Sequence, residues 1–222
     1  MLSLGRLRSL TQPILFRFWL KRTIDKTVTT RIDGLTLRVL PTVFHPKYFG
    51  SSLILSRYVQ SQDLHNKRFL DMGTGSGIVG ISAARSGACV TAVDINPAAV
   101  KCAALNAAAS GFAMDCHESD LFTALPDERF DVIAWNPPFF PKPASNRADA
   151  AFYAGNEYSS IKRFVRQLRE HLQPEGKVLL VLSMDVEVAR LESWFRDEGF
   201  SVTRALSRWW GLGETMVVIE IR

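Results

Sequence analysis

The sequence predicts an α/β protein with a doubly wound, mostly parallel sheet. Three observations support this prediction. First, a strand, a glycine-rich turn and a helix follow one another directly in residues 69–80, FLDMGTGSGIVG. Second, strand patterns and helical patterns alternate along the rest of the chain. Third, the apolar and charged fractions, 47% and 22%, are those of a soluble globular protein, and 222 residues suffice for one substantial core.

Ahead of the glycine-rich turn, the sequence predicts a short helix and a β-hairpin. Thr11 is a suitable N-cap and Pro13 a suitable first-turn residue, so a helix is expected to begin there. Residues 28–40 alternate between polar and apolar side chains around Asp33-Gly34, which is typical of a hairpin.

The remaining elements follow from short apolar runs for strands and longer periodic runs for helices. Besides the strand that leads into the glycine-rich turn, the predicted strands are 88–94, 112–117, 130–135, 177–183, 201–205 and 215–221. The predicted helices are 53–58, 97–109, 160–172 and 186–198. The loop before the last strand carries Trp209 and Trp210.

Charge is unevenly distributed along the chain. Residues 1–50 hold nine Lys and Arg against two Asp, a net charge of +7, which leaves −2 for the other 172 residues of a chain whose total is +5. We expect a basic N-terminal extension, 1–50, with the short helix and the hairpin, and one domain, 51–222. A basic segment suits RNA, a ribosomal surface or an acidic partner, but a solvated face or an organelle transit peptide would look the same.

The sequence contains no sign of a membrane span or a metal site. Its most apolar N-terminal run, 14–20, is too short to cross a bilayer and contains Arg17. The three cysteines form no C-x-x-C pair and no metal-ligand spacing. They are typical of reduced thiols, so we expect a cytoplasmic protein without a metal.

The glycine-rich turn admits two classes of ligand. Gly75, Gly77 and Gly80 fit the G-x-G-x-x-G pattern of dinucleotide sites. Asp71 argues against a dinucleotide, because its carboxylate would repel a pyrophosphate and attract the ammonium and sulfonium groups of S-adenosylmethionine. A turn shaped only for helix–strand packing is the third possibility. Asp71 favours S-adenosylmethionine.

Two further acids stand at the ends of later strands. Asp94 lies at the end of the second strand after the hairpin, twenty-one positions beyond Gly73, where a carboxylate can accept both ribose hydroxyls. It can also cap the following helix. Asp120 follows the third strand and could accept from an adenine amino group. Together they predict an adenosine site.

The segment Asn136-Pro137-Pro138-Phe139 follows the fourth strand. The Asn136 side chain offers an amide oxygen, and Pro137 a backbone carbonyl, so two acceptors could hold both hydrogens of a planar NH₂ group. Phe139 could stack on that group. An Asn-Pro turn that merely closes the strand is the alternative.

These motifs carry a resemblance to a known family. DMGTGSG, AVDINP, ESDLF and FDVIAWNPPF resemble the successive motifs of class I S-adenosylmethionine-dependent methyltransferases of the N-P-P-[YF] type. GTGSG with SDLF and NPP is most similar to the HemK group of glutamine N5-methyltransferases. The resemblance extends from about residue 43 to residue 222. It implies a Rossmann-like, seven-stranded sheet whose last strand is antiparallel, and S-adenosyl-L-methionine as cofactor.

The resemblance also implies roles for individual residues. Asp71, Gly73 and Gly75 would hold the methionine end of the cofactor, while Asn136 and Pro137 would hold the substrate nitrogen. The expected cofactor-binding residues are Asp71, Gly73, Thr74, Gly75, Gly77, Asp94, Ile95, Ser119, Asp120 and Asn136. The expected catalytic residues are Asn136, Pro137 and Phe139.

The implied activity is N-methylation of a planar nitrogen, with a protein glutamine amide favoured. Amino groups of ribosomal RNA or tRNA bases are the alternative, because methyltransferases that act on them share NPPF or NPPY. A small-molecule acceptor, a nucleotide-dependent oxidoreductase and a non-catalytic methyltransferase-like subunit are further alternatives. One departure from the group is that its V-[YF]-x-P motif, VFHP in this chain, is usually followed by an acidic pair, where this chain has Phe49-Gly50.

Overall fold

The computed structural model describes residues 26–47, 50–145, 151–184, 186–210 and 215–222. The predicted helix that begins near Thr11 lies outside these residues. Within them, the chain forms a seven-stranded sheet, a two-stranded hairpin and five α-helices. No helix in this part of the chain is both long and apolar enough to cross a membrane.

The elements have the following bounds. The strands are β1 Val28–Ile32, β2 Leu35–Val39, β3 Arg68–Met72, β4 Cys89–Asp94, β5 Asp115–Glu118, β6 Phe130–Trp135, β7 Leu172–Ser183, β8 Val202–Trp209 and β9 Thr215–Ile221. The helices are α1 Gly50–Gln60, α2 Ile78–Arg85, α3 Pro97–Ala109, α4 Ser159–His171 and α5 Val188–Asp197, with a 3₁₀ turn at Asn156–Tyr158.

The sheet has the strand order β5-β4-β3-β6-β7-β9-β8. Strand β9 is antiparallel to both of its neighbours, whereas the pairs from β5 to β7 are parallel. This confirms the predicted mostly parallel, seven-stranded sheet with an antiparallel last strand. The chain order reverses at β3, which pairs with β4 on one side and β6 on the other. Ligands of open α/β sheets bind at such a point, beyond the carboxyl ends of the strands.

The register of β3 and β6 brings two of the predicted motifs together. Met72 pairs with Trp135 at the last position of the two strands. The next residues are Gly73, which begins the glycine-rich turn, and Asn136, which begins the NPPF segment. Motifs 63 positions apart in sequence are therefore neighbours at one edge of the sheet.

Each face of the sheet is covered by its own hydrophobic core, because alternate residues of a strand point to opposite faces. In β3, Leu70 and Met72 belong to the core beneath α4 and α5, where Phe164 is fully buried. Phe69 belongs to the core beneath α1 and α2. Leu37 of the hairpin is fully buried in that second core.

The hairpin predicted from Asp33-Gly34 is confirmed, and it packs against the domain. Asn106 of α3 makes the link: its Oδ1 accepts the N–H of Arg38 at 2.8 Å. Its Nδ2 donates to the carbonyl oxygens of Arg38 at 3.0 Å and Ser76 at 2.9 Å. One buried amide thus ties the hairpin to the glycine-rich turn. The expected boundary between extension and domain at residue 50 stays a prediction.

Several predicted element bounds were wrong by three residues or more: β7 begins at Leu172 and not at 177, and α1 begins at Gly50 and not at 53. Two others have local physical reasons. The strand predicted at 112–117 begins only at Asp115, because α3 ends in a left-handed cap. Gly111 has φ of 79°, and the N–H of Phe112 returns to the carbonyl of Ala107. The strand predicted to end at residue 205 runs on to Trp209 and stays paired with β9 beyond a register shift between Arg204 and Leu206, so Trp209 is not a loop residue.

Candidate active site

A cavity of about 290 Å³ opens at the carboxyl ends of β3, β4 and β6. Its size is close to the lower end of the range of about 300–1,000 Å³ that is usual for small-molecule sites. Of the predicted site residues, those that line it are Gly73, Thr74, Gly75, Asp94, Ile95, Ser119, Asp120 and Asn136. The fold therefore brings together four segments that are distant in sequence.

Asp71 lies beneath the glycine-rich turn and is almost completely buried. Its Oδ2 accepts the hydroxyl of Thr74 at 2.7 Å and the N–H of Gly80 at 2.9 Å. Burial raises the pKa of Asp71 to about 7, against the opposing effect of these two hydrogen bonds. Asp71 is not among the residues that line the cavity, so it supports the turn from below. Its predicted contact with the cofactor stays a prediction.

Gly75 and Gly77 serve different purposes in the turn. Both have positive φ, 54° and 83°. Gly75 lines the cavity and its N–H donates to Asp94 Oδ2 at 3.0 Å. Gly77 does not line the cavity: a Cβ there would lie 2.9 Å from the Cα of Ala103 in α3. The structure therefore places Gly77 at a helix contact, and its predicted role in cofactor binding stays a prediction.

Asp94 is held rigidly at the end of β4. Besides the bond to Gly75, its Oδ1 accepts the N–H of Asn96 at 2.9 Å. Burial raises the pKa of the Asp94 carboxyl, and these two N–H donors offset part of the rise. The next residue, Ile95, also lines the cavity and is 44% exposed, which is unusual for an isoleucine. A carboxylate beside an apolar side chain suits a ribose and the ring attached to it.

Ser119 and Asp120 form a turn at the cavity edge. The Ser119 hydroxyl is buried, donates to the carbonyl of Leu121 at 2.8 Å and accepts the N–H of Ala124 at 3.0 Å. The Asp120 carboxylate is partly exposed and pairs with the guanidinium of Arg163 at 3.0 Å. Arg163, from α4, also lines the cavity, and its presence there was not predicted.

Only some residues of the NPPF segment lie at the cavity. Asn136 and Pro138 line it, whereas Pro137 is buried and is not among the lining residues, so the predicted contact of its carbonyl with the substrate nitrogen stays a prediction. Phe139 packs against both hydrophobic cores and does not line the cavity, so its predicted stacking on a substrate stays a prediction. The Nδ2 of Asn136 donates to the Ser52 hydroxyl at 2.9 Å. Its Oδ1 is buried and accepts no hydrogen bond from any described residue.

Several cavity residues escaped the sequence analysis because they come from outside the recognised motifs. Thr42, Val43 and Phe44 follow the hairpin, Ser52 lies in the first turn of α1, and Tyr153 follows the NPPF segment. The VFHP resemblance pointed to the first group without assigning it a role. Among the described residues, no cluster of His, Cys, Asp or Glu could hold a metal ion.

The residues present fit S-adenosylmethionine. The turn contains three positive-φ glycines, two of which line the cavity and let a ligand approach the backbone. Asp94 offers acceptors for ribose hydroxyls, and Ile95 offers an apolar face. The fold and this cavity together define a class I methyltransferase. The chain belongs to the methyltransferase small domain family, whose sequence profile matches residues 34–202. It is an S-adenosylmethionine-dependent methyltransferase, which confirms the methyltransferase interpretation over the oxidoreductase one.

Known relatives include enzymes that act on protein and on RNA. A proposed protein N5-glutamine methyltransferase of Methanocaldococcus jannaschii is 36% identical over 158 residues, 68% of this chain and 78% of that protein. The release factor glutamine methyltransferase of Gloeobacter violaceus is 25% identical over 203 residues, 85% of this chain and 71% of that protein. A T. thermophilus 16S rRNA N2 methyltransferase, solved with AdoMet and guanosine, has a TM-score of 0.65 and 25% identity, over 88% of this chain and 49% of that one.

Proposed function

We propose that the protein methylates a planar nitrogen and that its acceptor is the side-chain amide of a protein glutamine. The observation that carries this proposal is the Asn136 amide at the cavity wall, whose Oδ1 is buried and accepts no hydrogen bond from the described residues. A buried acceptor left unpaired costs about 1–3 kcal/mol, which an incoming N–H would recover. The two glutamine methyltransferases among the relatives support a glutamine amide as its source.

In the proposed mechanism, the chain acts mainly by positioning. Asn136 Oδ1 and the backbone carbonyl of Pro137 accept the two hydrogens of the substrate NH₂, so that the nitrogen lone pair faces the methyl donor. When bound, S-adenosylmethionine supplies an electrophilic methyl group on a sulfonium that leaves as a neutral thioether. The substrate nitrogen would take up that methyl group with the thioether as leaving group, and the extra proton would pass from nitrogen to water.

The cofactor would be held by the segments on either side of Asn136. Asp94 would accept the ribose hydroxyls, and the backbone of Gly73 and Gly75 would lie against the methionine end. Burial raises the pKa of Asp71 to about 7, so this acid is only partly ionised near neutral pH, and the cationic end of a bound cofactor would favour its ionised form. Asp120, with Arg163 beside it, would border the adenine.

An exocyclic amine of an RNA base is the second candidate acceptor. It is also a planar NH₂ group, so the same two acceptors would hold it. Two observations favour it: the +7 charge of residues 1–50, and the similarity to a 16S rRNA methyltransferase. We further propose that the basic segment contacts RNA or a ribosome-bound substrate, and that the protein is cytoplasmic.

One experiment separates the two acceptors. The purified protein is incubated with methyl-tritiated S-adenosylmethionine and a cell lysate, and the labelled products are then treated with protease or with nuclease. Glutamine methylation predicts label that is released by protease and resists nuclease, and acid hydrolysis of the labelled protein should release the label as methylamine. If nuclease alone releases the label, the acceptor is an RNA base and not a glutamine amide.

A further inference from the structure

The Asn136 amide is hydrogen-bonded to a residue from a different part of the chain. Ser52 lies in the first turn of α1, 84 positions earlier in sequence. Its Oγ accepts from Asn136 Nδ2 at 2.9 Å, and Ser52 itself lines the cavity beside Asn136. Helix α1 is packed firmly in place: Leu55 and Val59 are completely buried in the core beneath it.

The direction of this hydrogen bond matters for the proposed chemistry. A primary amide has one acceptor end and one donor end, and a rotation of 180° exchanges them. With Nδ2 bound to Ser52, the oxygen is the end left to meet a substrate. In the opposite orientation, Nδ2 would face the substrate NH₂, and two donors cannot bond to each other. A serine hydroxyl can accept from Nδ2 or donate to Oδ1, so Ser52 anchors the amide in place, and the orientation found here, with Nδ2 on Ser52, is the one that leaves the oxygen to a substrate.

We infer that Ser52 is a positioning residue, which holds Asn136 with its oxygen free for the substrate nitrogen. The inference rests on the proposed function, because it gives Ser52 a role only through Asn136. It assigns a task to α1 that no recognised motif of the sequence carries. It applies equally to a glutamine amide and to an RNA base, since both present a planar NH₂ group.

The chain offers a matched control on the same helix. Ser56 is also buried, and its hydroxyl donates to the carbonyl of Leu53 at 2.9 Å, within the helix. Ser56 is not among the cavity residues. Ser52→Ala and Ser56→Ala thus remove the same hydroxyl from the same helix, but only the first removes a partner of Asn136. Ser52→Thr keeps the hydroxyl.

The first measurement is single-turnover methyl transfer to the lysate fraction that wild type labels. We expect Ser52→Ala to lower the rate about 10-fold to 100-fold, a loss usual for groups that orient a functional side chain. Cofactor affinity should stay within a few-fold of wild type, Ser52→Thr should restore most of the rate, and Ser56→Ala should keep it. In an Asn136→Ala background, Ser52→Ala should cost nothing further, because its effect passes through Asn136.

A second measurement needs no acceptor. The Nδ2 protons of Asn136 give NMR signals that report their hydrogen bond, and these should shift in Ser52→Ala and stay in place in Ser56→Ala. Unmoved signals, or the same rate loss with and without Asn136, would overturn the role of Ser52. A rate lost in Asn136→Ala but kept in Ser52→Ala would overturn that role alone, whereas a rate kept in Asn136→Ala would contradict the proposed function itself.

Discussion

Asp94 accepts the backbone N–H of Gly75 at 3.0 Å, so the acid at the end of β4 also fixes the glycine-rich turn at the end of β3. The same carboxylate accepts the N–H of Asn96, ahead of α3. One side chain thereby joins the two segments that would hold the ribose and the methionine end of the cofactor. Its removal should disturb both.

The first prediction concerns this carboxylate. Asp94→Ala should weaken S-adenosylmethionine binding by about 1–3 kcal/mol, because ribose hydroxyls and the N–H of Gly75 lose their acceptor. Isothermal titration calorimetry with S-adenosylhomocysteine measures the loss. Asp94→Asn keeps one acceptor oxygen and should lose less. Equal affinities for wild type and Asp94→Ala would show that Asp94 does not bind the ribose.

A second prediction uses the pKa of Asp71, which burial raises to about 7. Because the folded-state value lies above that of the unfolded chain, near 4, the folded protein binds the proton more tightly between these two pH values. The contribution of Asp71 to stability is therefore full below about pH 4 and declines as the pH rises to about 7.

Asp71→Asn removes this titration and serves as the reference. The stability of the variant relative to wild type should rise with pH, by up to about 1.4 kcal/mol for each pH unit between 5 and 7, and level off above that. Urea unfolding at a series of pH values measures the difference. A constant difference between the two proteins from pH 5 to pH 8 would show that Asp71 titrates near its ordinary value.

A third prediction concerns the two reasons why position 77 requires glycine, its positive φ and its close contact with α3. Its φ of 83° disfavours any other residue, and a Cβ would lie 2.9 Å from Ala103. Gly111 has a similar φ of 79° but nothing within 4 Å of a Cβ. Gly111→Ala should therefore lower the free energy of unfolding by about 1–2 kcal/mol, because alanine disfavours the left-handed backbone conformation. Gly77→Ala should cost about 1–3 kcal/mol more, for overpacking against α3. Equal free energies of unfolding for the two variants would contradict the close helix contact.

A fourth prediction tests the basic segment at 1–50. If its charges neutralise RNA phosphates, the logarithm of the RNA affinity should fall linearly with the logarithm of the salt concentration. Replacement of Arg17, Lys21 and Arg22 by Gln should reduce that slope by about 2–3, roughly one for each phosphate that is no longer neutralised. Fluorescence anisotropy with a labelled RNA measures it. An unchanged slope, or no RNA affinity at low salt, would leave the segment without this role.

The sequence predicted the parts of the site that depend on local pattern and parallel-sheet geometry. Asp94 is the last residue of β4, and Asn136 directly follows β6. The carboxyl ends of parallel strands lie at one edge of the sheet irrespective of the loops that connect them. Ser52 and Arg163 could not be predicted, because neither belongs to a recognised strand-end motif. Each reaches the cavity only through the packing of its helix against the sheet. The position of Asp71 beneath the turn likewise depends on side-chain contacts with Thr74 and Gly80 that spacing alone cannot specify.

Asn136→Ala tests the central claim most directly. Single-turnover methyl transfer and S-adenosylhomocysteine affinity are measured on the same preparations of wild type and variant. The rate should fall by about 10²–10³-fold, by analogy with the loss of one positioned hydrogen-bond partner in an oxyanion hole, and cofactor affinity should stay within a few-fold of wild type. A variant that keeps the wild-type rate would show that the NPPF segment is a structural turn and that the acceptor nitrogen is held elsewhere.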